Sequence, residues 1–305
     1  MAQKTVIMIA GPTAVGKTAV GIAVARHFGT EIISADSRQC YRELSIGVAR
    51  PSADELTAVP HHFIASHSIQ EPVTAATFEA YALDHAAALF ERHDTVVMVG
   101  GTGLYLTAFA EGLDEIPAIP ADLRLSTRMQ YETRGLGWLQ EEVRAADPLY
   151  FSRGEIQNPH RLLRALEVVR ATGRSIVSFR TERSAERPFR IARIALELPR
   201  PLLYERINAR VDAMMESGLL AEVEGLQQQR HLPALRTVGY SELFDHLDGT
   251  VTLAEAVERI KTNTRRYAKR QLTWFRKDDA FTWLAPDDES AIIAAAERDV
   301  RRPAD

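Results

Sequence analysis

Residues 11–18 read GPTAVGKT. The spacing G-x-x-x-x-G-K-[ST] marks a phosphate-binding loop when a strand precedes it and a helix follows. Both flanks are present: Thr5–Ala10 (TVIMIA) is a continuous apolar run, and residues 19–27 (AVGIAVARH) read as helix. Gly11 and Gly16 allow the tight turns that point backbone amides at one anion. The helix N-terminus adds partial positive charge. Lys17 supplies a mobile cation and Thr18 a hydroxyl for a magnesium ion. The octet predicts a di- or triphosphate ligand and leaves open what happens to it.

Two more clusters carry groups suited to the same ligand. Asp36 follows the short run at residues 31–35 (EIISA). A carboxylate at a strand end is placed to act as a general base or in a magnesium shell, and Asp is equally a helix cap. Gly100-Gly101-Thr102 follows residues 95–99 (TVVMV). Its glycines permit close backbone approach to a ligand and Thr102 offers a hydroxyl, although a strand–helix turn capped by Thr102 would use the same residues. An ATPase would be expected to carry a magnesium-binding acid at such a strand end. Met98-Val99-Gly100-Gly101-Thr102 has none, which weakens an ATP-hydrolysis reading.

Basic residues form the third kind of signal. After Asn158-Pro159, His160, Arg161 and Arg164 fall on one side of a helix, with Leu162, Leu163, Leu166 and Val169 turned away. Arginines three apart suit phosphate or base contacts as well as a solvated face. Along Leu253–Phe275, Arg259, Arg266, Lys269 and Arg270, with Arg276 just beyond, accompany Tyr267, Trp274 and Phe275. Basic and aromatic groups together track an RNA backbone and stack bases, while Trp274 and Phe275 read better as the core side of an amphipathic helix. His61 and His62 are adjacent on an extended segment, so they point opposite ways and are poorly placed to share a metal.

The elements that must position these groups alternate. Apolar runs at 5–10, 31–35 and 95–99 are separated by helical segments at 18–27 and 77–92, the pattern of a parallel sheet with crossover helices. Ligands bind beyond the carboxyl ends of such strands, so the loop at 11–18, Asp36 and residues 100–102 should converge on one cleft. The alternation breaks at the Pro-punctuated residues 116–120. Helices follow at 122–135, 138–146 and from Asn158 to about Gly173. Residues 189–198 read as a strand that rejoins the sheet, followed by helices at 202–217, 219–229, 241–247 and Leu253–Phe275, and a last strand at 281–284. The chain thus divides into an α/β core (1–116 and 186–305) and a mostly helical insertion (117–185).

The 305 residues carry 37 Lys+Arg against 41 Asp+Glu and are 46% hydrophobic, which fits a globular protein with one large core or two smaller ones. No apolar run is long enough to span a bilayer, and the N-terminus enters a strand without a secretory pattern, which points to the cytoplasm. The lone Cys40 gives neither an intramolecular disulfide nor a zinc set and reads as a small core residue. Charge is unevenly placed: residues 259–277 hold eight Lys/Arg and no acid, and residues 153–193 hold ten Arg against four Glu. Two basic surfaces on an acidic chain suit a polyanionic partner.

Together these residues resemble the bacterial tRNA dimethylallyltransferases, also called isopentenyl-diphosphate:tRNA transferases. The resemblance runs over about residues 5–277. It is carried by GPTAVGKT (11–18), ISADSRQCY (33–41), Ser45-Ile46-Gly47 followed by Arg50-Pro51, PHHFI (60–64), VGGTGLY (99–105), NPHRLLRALEV (158–168), TVGYSEL (237–243) and TRRYAKRQLTWFR (264–276). It implies an α/β, P-loop NTPase-like parallel sheet core with a helical, tRNA-binding insertion. It also implies a reaction: the five-carbon group of dimethylallyl diphosphate passes to the exocyclic amine of an adenosine just 3′ of the anticodon, and diphosphate leaves. Gly11, Pro12, Thr13, Ala14, Val15, Gly16, Lys17 and Thr18 would hold the diphosphate, with Thr18 on Mg2+ and Arg210 as a second diphosphate ligand. Asp36 would take the amine proton and Thr102 would bond the base. The implied tRNA contacts are Asp36, Ser37, Arg38, Gln39, Thr102, Arg124, His160, Arg161, Leu162, Leu163 and Arg164. The expected partners are the anticodon stem-loop and the prenyl donor, with a monomer as the working form and no membrane contact. Ala65-Ser66 stands where relatives more often carry an acid soon after the paired histidines, which puts one hydrogen bond of the small subdomain in question.

Two rival readings use the same residues. A small-molecule or nucleoside kinase would transfer the γ-phosphoryl group of ATP, and a nucleotide-gated RNA-binding protein would need no catalysis. The basic windows generate a test of the RNA contact itself. Affinity for a tRNA anticodon stem-loop, titrated by fluorescence anisotropy, should fall steeply as salt rises; a flat response would exclude these surfaces as the contact.

Overall fold

The computed structural model describes residues 3–180 and 185–301; Arg183 of the second basic window lies outside them. The chain divides into two units, Met1–Ala110 with Glu186–Asp305, and Glu111–Ala185.

The first unit is built on six parallel strands: β1 (Thr5–Ala10), β2 (Ile32–Ala35), β3 (His61–His62), β4 (Thr95–Gly100), β5 (Arg190–Leu196) and β6 (Thr282–Leu284), in the order β3-β2-β4-β1-β5-β6. Every residue of β1 and β4 is buried, as expected for central strands covered on both faces. Alternate side chains feed two cores. Val6, Met8, Val96 and Met98 face one, whereas Ile7, Ile9, Val97 and Val99 face the other.

Helices line both faces. Before the second unit come α1 (Lys17–His27), α2 (Ala53–Ala58), α3 (Ala75–Phe90) and α4 (Gly103–Glu111). Val20 and Val24 of α1 enter the Ile7/Val97 core, and Phe78 of α3 with Leu106 and Phe109 of α4 enters the Met8/Met98 core. α1 and α4 therefore start from neighbouring strand ends and depart to opposite faces. The sequence pattern did not mark α4, because Gly100-Gly101-Thr102-Gly103 reads as a turn that continues directly into it. It also missed β3, whose two residues are too few for a period.

The second unit contains α5 (Ala121–Ala146), α6 (Pro148–Arg153) and α7 (Pro159–Thr172). Gly135 breaks α5 with φ 75° and ψ −174°, which gives the two helices expected on either side of it. The Asn158 side chain accepts from His160 N and Arg161 N and starts α7 with Pro159 in its first turn; Gly173 ends it in the left-handed region. Ile116 and Ile119 pack with Leu139, Tyr150 and Leu162, so the Pro-marked segment belongs to this unit's core rather than to a solvent-exposed hinge.

The chain then returns through β5 to α8 (Arg200–Glu216), α9 (Leu219–Gly225), α10 (Tyr240–Leu247), α11 (Leu253–Phe275) and α12 (Glu289–Arg301). α9 is shorter than the helix read over 219–229, which resolves into α9 and a 3-10 turn, Gln227–Gln229. α12 was obscured by its charges, yet Ile292, Ala295 and Ala296 pack into the Ile7/Ile9 core.

Register sets the site. Ala10 pairs with Gly100, and Gly100 pairs with Ala35, so β1, β4 and β2 end level. The loops that follow them emerge side by side. A Cβ on Gly100 would overlap the Ala35 backbone. Gly100→Ala should cost about 1–3 kcal/mol or more, because backbone cannot move aside as a side chain can. Urea denaturation would measure it; an unchanged midpoint would show that β2 and β4 have room to separate.

Candidate active site

The three level strand ends open into a cleft of about 590 Å3 within the first unit. Its floor is the loop at 11–18. Gly11 has φ 148° and Gly16 φ 110°, and a Cβ on Gly11 would sit 2.8 Å from Leu196 O, so both positions need glycine. Gly16 precedes α1 without any side-chain cap, and the first turn of α1 holds no acid. The first amides of α1 thus face the cleft with no partner from a capping residue, the condition for an anion site.

Lys17 Nζ donates to Pro12 O at 2.7 Å. Burial brings its pKa down to about 7; Asp36 pulls upward and the neighbouring Arg210 guanidinium pushes further down. Arg210 comes from α8 and donates to Thr13 Oγ1 at 2.5 Å, and its Nε is buried without a partner. Burial lowers its pKa as well, against the pull of Asp36. Two half-buried cations and an unpartnered N–H beside an uncapped helix are a site awaiting negative charge.

The loop residues do not all contribute in the same way. Thr13 N donates to Gln271 Oε1 at 2.8 Å, so its amide is turned away from the ligand while its hydroxyl holds Arg210. Pro12 has no N–H and offers its carbonyl to Lys17. Val15 is fully buried in the Ile7/Ile9 core. Ala14 takes the left-handed conformation, φ 66°. Thr13, Ala14, Gly16, Lys17 and Thr18 line the cleft, and the Thr13 hydroxyl holds Arg210.

Asp36 stands across the cleft. Its Oδ1 accepts from Arg38 N at 2.8 Å and Gln39 N at 3.2 Å, which makes it a turn cap. No hydrogen bond from the described residues reaches its Oδ2, so capping and lining the cleft coexist. Thr102 Oγ1 accepts from Ser37 N at 3.1 Å and does not cap α4. Tyr267 of α11 also lines the cleft; burial, and then the Asp36 charge, push its phenol up to about 12. Arg38 lines the same wall. Gln39 is used by the fold: its Nε2 donates to Val48 O at 3.2 Å and Ala49 O at 2.8 Å. That fixes the loop whose Gly47, Val48 and Ala49 form the far wall with Val211, Met214, Leu219, Val238 and Ile260.

Glu222 of α9 secures this far wall. Its carboxylate accepts from Ser45 N, Ile46 N and Gly47 N at 3.1, 2.8 and 3.0 Å and from the Tyr240 hydroxyl at 2.6 Å. Neither Glu222 nor Gln271 carries a local sequence signal, since each acts on a segment far away in the chain. Ser66 Oγ bonds His67 Nδ1 at 2.8 Å at the position where an acid was expected nearby. His62 Nε2 lies 2.7 Å from Glu31, while His61 lines the cleft.

The basic windows resolve into struts and outward-facing groups. Arg187 pairs with Glu79, Lys261 with Asp212 and Arg276 with Glu197. Arg270 lies over the Tyr267 ring at 5.7 Å. Phe275 is core at 1% exposure, as expected, but Trp274 is 39% exposed and lies against Gly103. Within the second unit, Arg124 approaches Glu167 at 3.7 Å. Burial raises the Glu167 pKa, and Arg124, Arg164 and Arg128 lower it, so this carboxylate gathers arginines on one face. Arg161 pairs with Glu155 and His160 is exposed. The Leu162 side chain is fully buried in that core and faces away from the surface, whereas Leu163 is half-buried against it.

The family described as IPP transferase matches residues 39–278. The chain belongs to the IPP transferase family. Among relatives in that family, the tRNA dimethylallyltransferase of Christiangramia forsetii is 47% identical over 287 residues, 94% of this chain and 95% of its own. The tRNA dimethylallyltransferase 1 of Bacteroides thetaiotaomicron is 44% identical, with 95% and 94% covered. The structure of the full-length tRNA isopentenylpyrophosphate transferase from Bacillus halodurans has a TM-score of 0.72 at 35% identity, covering 98% of this chain and 97% of that one. A eukaryotic dimethylallyltransferase acting on tRNA has a TM-score of 0.76 at 25% identity, covering 97% and 77%. The expected P-loop α/β fold and family both stand.

Lys17 yields a pH dependence. At pH values below about 7 it carries its charge before any ligand arrives. Above that, a diphosphate must restore the proton, so binding takes up a proton and weakens as pH rises, by up to about tenfold per unit. Calorimetry of inorganic diphosphate in two buffers of different ionisation enthalpy would read this uptake. Lys17→Met should abolish the difference from the ligand's own titration, and a wild-type profile identical to that variant's would remove Lys17 from the cradle.

Proposed function

We propose that this chain transfers the dimethylallyl group of dimethylallyl diphosphate to the N6 amine of an adenosine beside the anticodon of a tRNA and releases diphosphate. The observation that carries the reading is the pairing, across one cleft, of an unneutralised phosphate cradle with Asp36 and Thr102.

The uncapped amides of α1, Lys17 and Arg210 bind the diphosphate and stabilise charge as the carbon–oxygen bond breaks. The wall of Val48, Val211, Met214, Leu219, Val238 and Ile260 suits a short branched hydrocarbon and keeps water from the allylic carbon. A base stacked in an anticodon loop cannot reach this depth, so the adenosine is turned out and inserted beside Asp36. Asp36 Oδ2 accepts the N6 proton as the new carbon–nitrogen bond forms, and Thr102 holds the base in register.

Thr18 lines the cleft, and no group of three His, Cys, Asp or Glu among the described residues could enclose a metal. That donor set fits magnesium, which keeps water and substrate phosphate oxygens and needs only one or two protein ligands. When bound, it would neutralise charge on the departing diphosphate. No described helix is long and apolar enough to cross a membrane, and a tRNA substrate supports a cytoplasmic reaction. The kinase alternative lacks support: β4 ends in glycines and a threonine, and the relatives above are named as transferases to tRNA.

The deciding experiment is mass analysis of nucleosides from tRNA incubated with the pure protein and dimethylallyl diphosphate. Adenosine should gain one dimethylallyl unit; ATP-dependent phosphorylation without prenylation would end the reading. Asp36→Asn keeps an oxygen for Arg38 N and Gln39 N, so the turn should survive while turnover drops by about 10²–10⁴. Unchanged turnover would free Asp36 from the proton transfer.

A further inference from the structure

Gln271 of α11 is 6% exposed and makes two bonds of opposite sense. Its Oε1 accepts from Thr13 N at 2.8 Å, and its Nε2 donates to Gly101 O at 2.8 Å. The partners fix the amide's orientation, since a flip would set donor against donor and carbonyl against carbonyl. The close fit also accounts for Gly101, where a Cβ would overlap Gln271 Nε2.

The two anchors belong to different halves of the cleft. Thr13 holds Arg210 through its hydroxyl and so belongs to the phosphate side. Gly101 is followed by Thr102, whose hydroxyl accepts from Ser37 N beside Asp36, on the side where the base would sit. β1 and β4 hold these loops side by side only as far as the Ala10–Gly100 pair. Beyond that pair, Gln271 is the side chain that bridges Thr13 and Gly101.

We infer that Gln271 is a positioning residue: it sets the distance between the donor cradle and the acceptor base, and so the alignment of amine and allylic carbon. This rests on the prenyl transfer proposed above. Alignment errors of about 1 Å cost up to about 10²-fold in rate without an equal loss of binding. Gln271→Leu keeps the volume and removes both bonds. Gln271→Glu keeps the acceptor for Thr13 N and loses the donor to Gly101 O.

Steady-state kinetics on full-length protein, with whole tRNA and dimethylallyl diphosphate, tests this. Both variants should lower kcat by about 10–100-fold while each KM stays within about threefold. In a cycle with Thr102→Ala, the loss should be strongly non-additive, because Gln271 acts through that turn. A kcat within about twofold of wild type, or losses that add, would overturn the inference. So would a deficit that vanishes well below the variant's melting temperature, which is what a purely stabilising role predicts. If the leucine variant does not fold, the isosteric glutamate variant carries the same test. Wild-type protein that fails to prenylate tRNA would instead refute the proposed function.

Discussion

Lys17 and Arg210, both half-buried, share Asp36 as their one facing carboxylate, and this imbalance governs the molecule. Burying charge is costly unless it is paired, and here the pairing is incomplete. Lys17 responds by losing affinity for its proton, and Arg210 leaves Nε without a partner. A fold tolerates such a cluster only if its surroundings are rigid. Gly11 and Gly16 in conformations closed to other residues, the buried strand β1 before them and the hydrophobic staves of α1 after them supply that rigidity. An anion in the cleft would offset that cost, so the same feature that strains the free protein would also attract negative charge.

Sheet order places the second half of the chemistry against the first. β4 is inserted between β2 and β1, and the three strands end in register. A parallel sheet of any other order would carry a phosphate loop equally well, but Asp36 and Thr102 would open elsewhere. The residues that then tune the cleft come from α8, α9 and α11, after the second unit, so the first unit cannot complete its site until the later chain has returned. That dependence makes Gln271 and Glu222 natural fasteners: each joins a late helix to an early loop through backbone groups, which leaves side chains of those loops available to ligand.

Legibility followed the range of the interaction. The loop at 11–18, Asp36 and Thr102 were visible because their signals are local and because strand ends in parallel sheets share a face. Gln271 was not, for its partners lie 258 and 170 residues away. Gln39 lines the cleft, and its amide also holds the Val48 and Ala49 carbonyls, a structural task that no motif spells out. Leu162 and Leu163 are the reverse case, since the helical period already turned them inward while the resemblance assigned them to RNA. Trp274 and Phe275 differ because adjacent helix positions are about 100° apart, so one can be core and the other open. Among the elements, β3 and α2 were missed because each is too short to establish a period.

Asp36 shows how a turn-capping carboxylate can still present an oxygen to a cleft. Two amides converge on Oδ1 and fix the carboxylate plane, so the direction of Oδ2 follows from the turn at 36–39 rather than from a free torsion. A general base must first lie within reach of its proton, and a carboxylate free to rotate would spend most of its time misdirected. Ser37 N, by donating to Thr102, ties that turn to the loop after β4. The Thr102 hydroxyl and the Asp36 carboxylate are therefore held by one hydrogen-bonded segment. Their placement comes from backbone donors whose positions the sheet dictates, so Oδ2 inherits the precision of the strands beneath it.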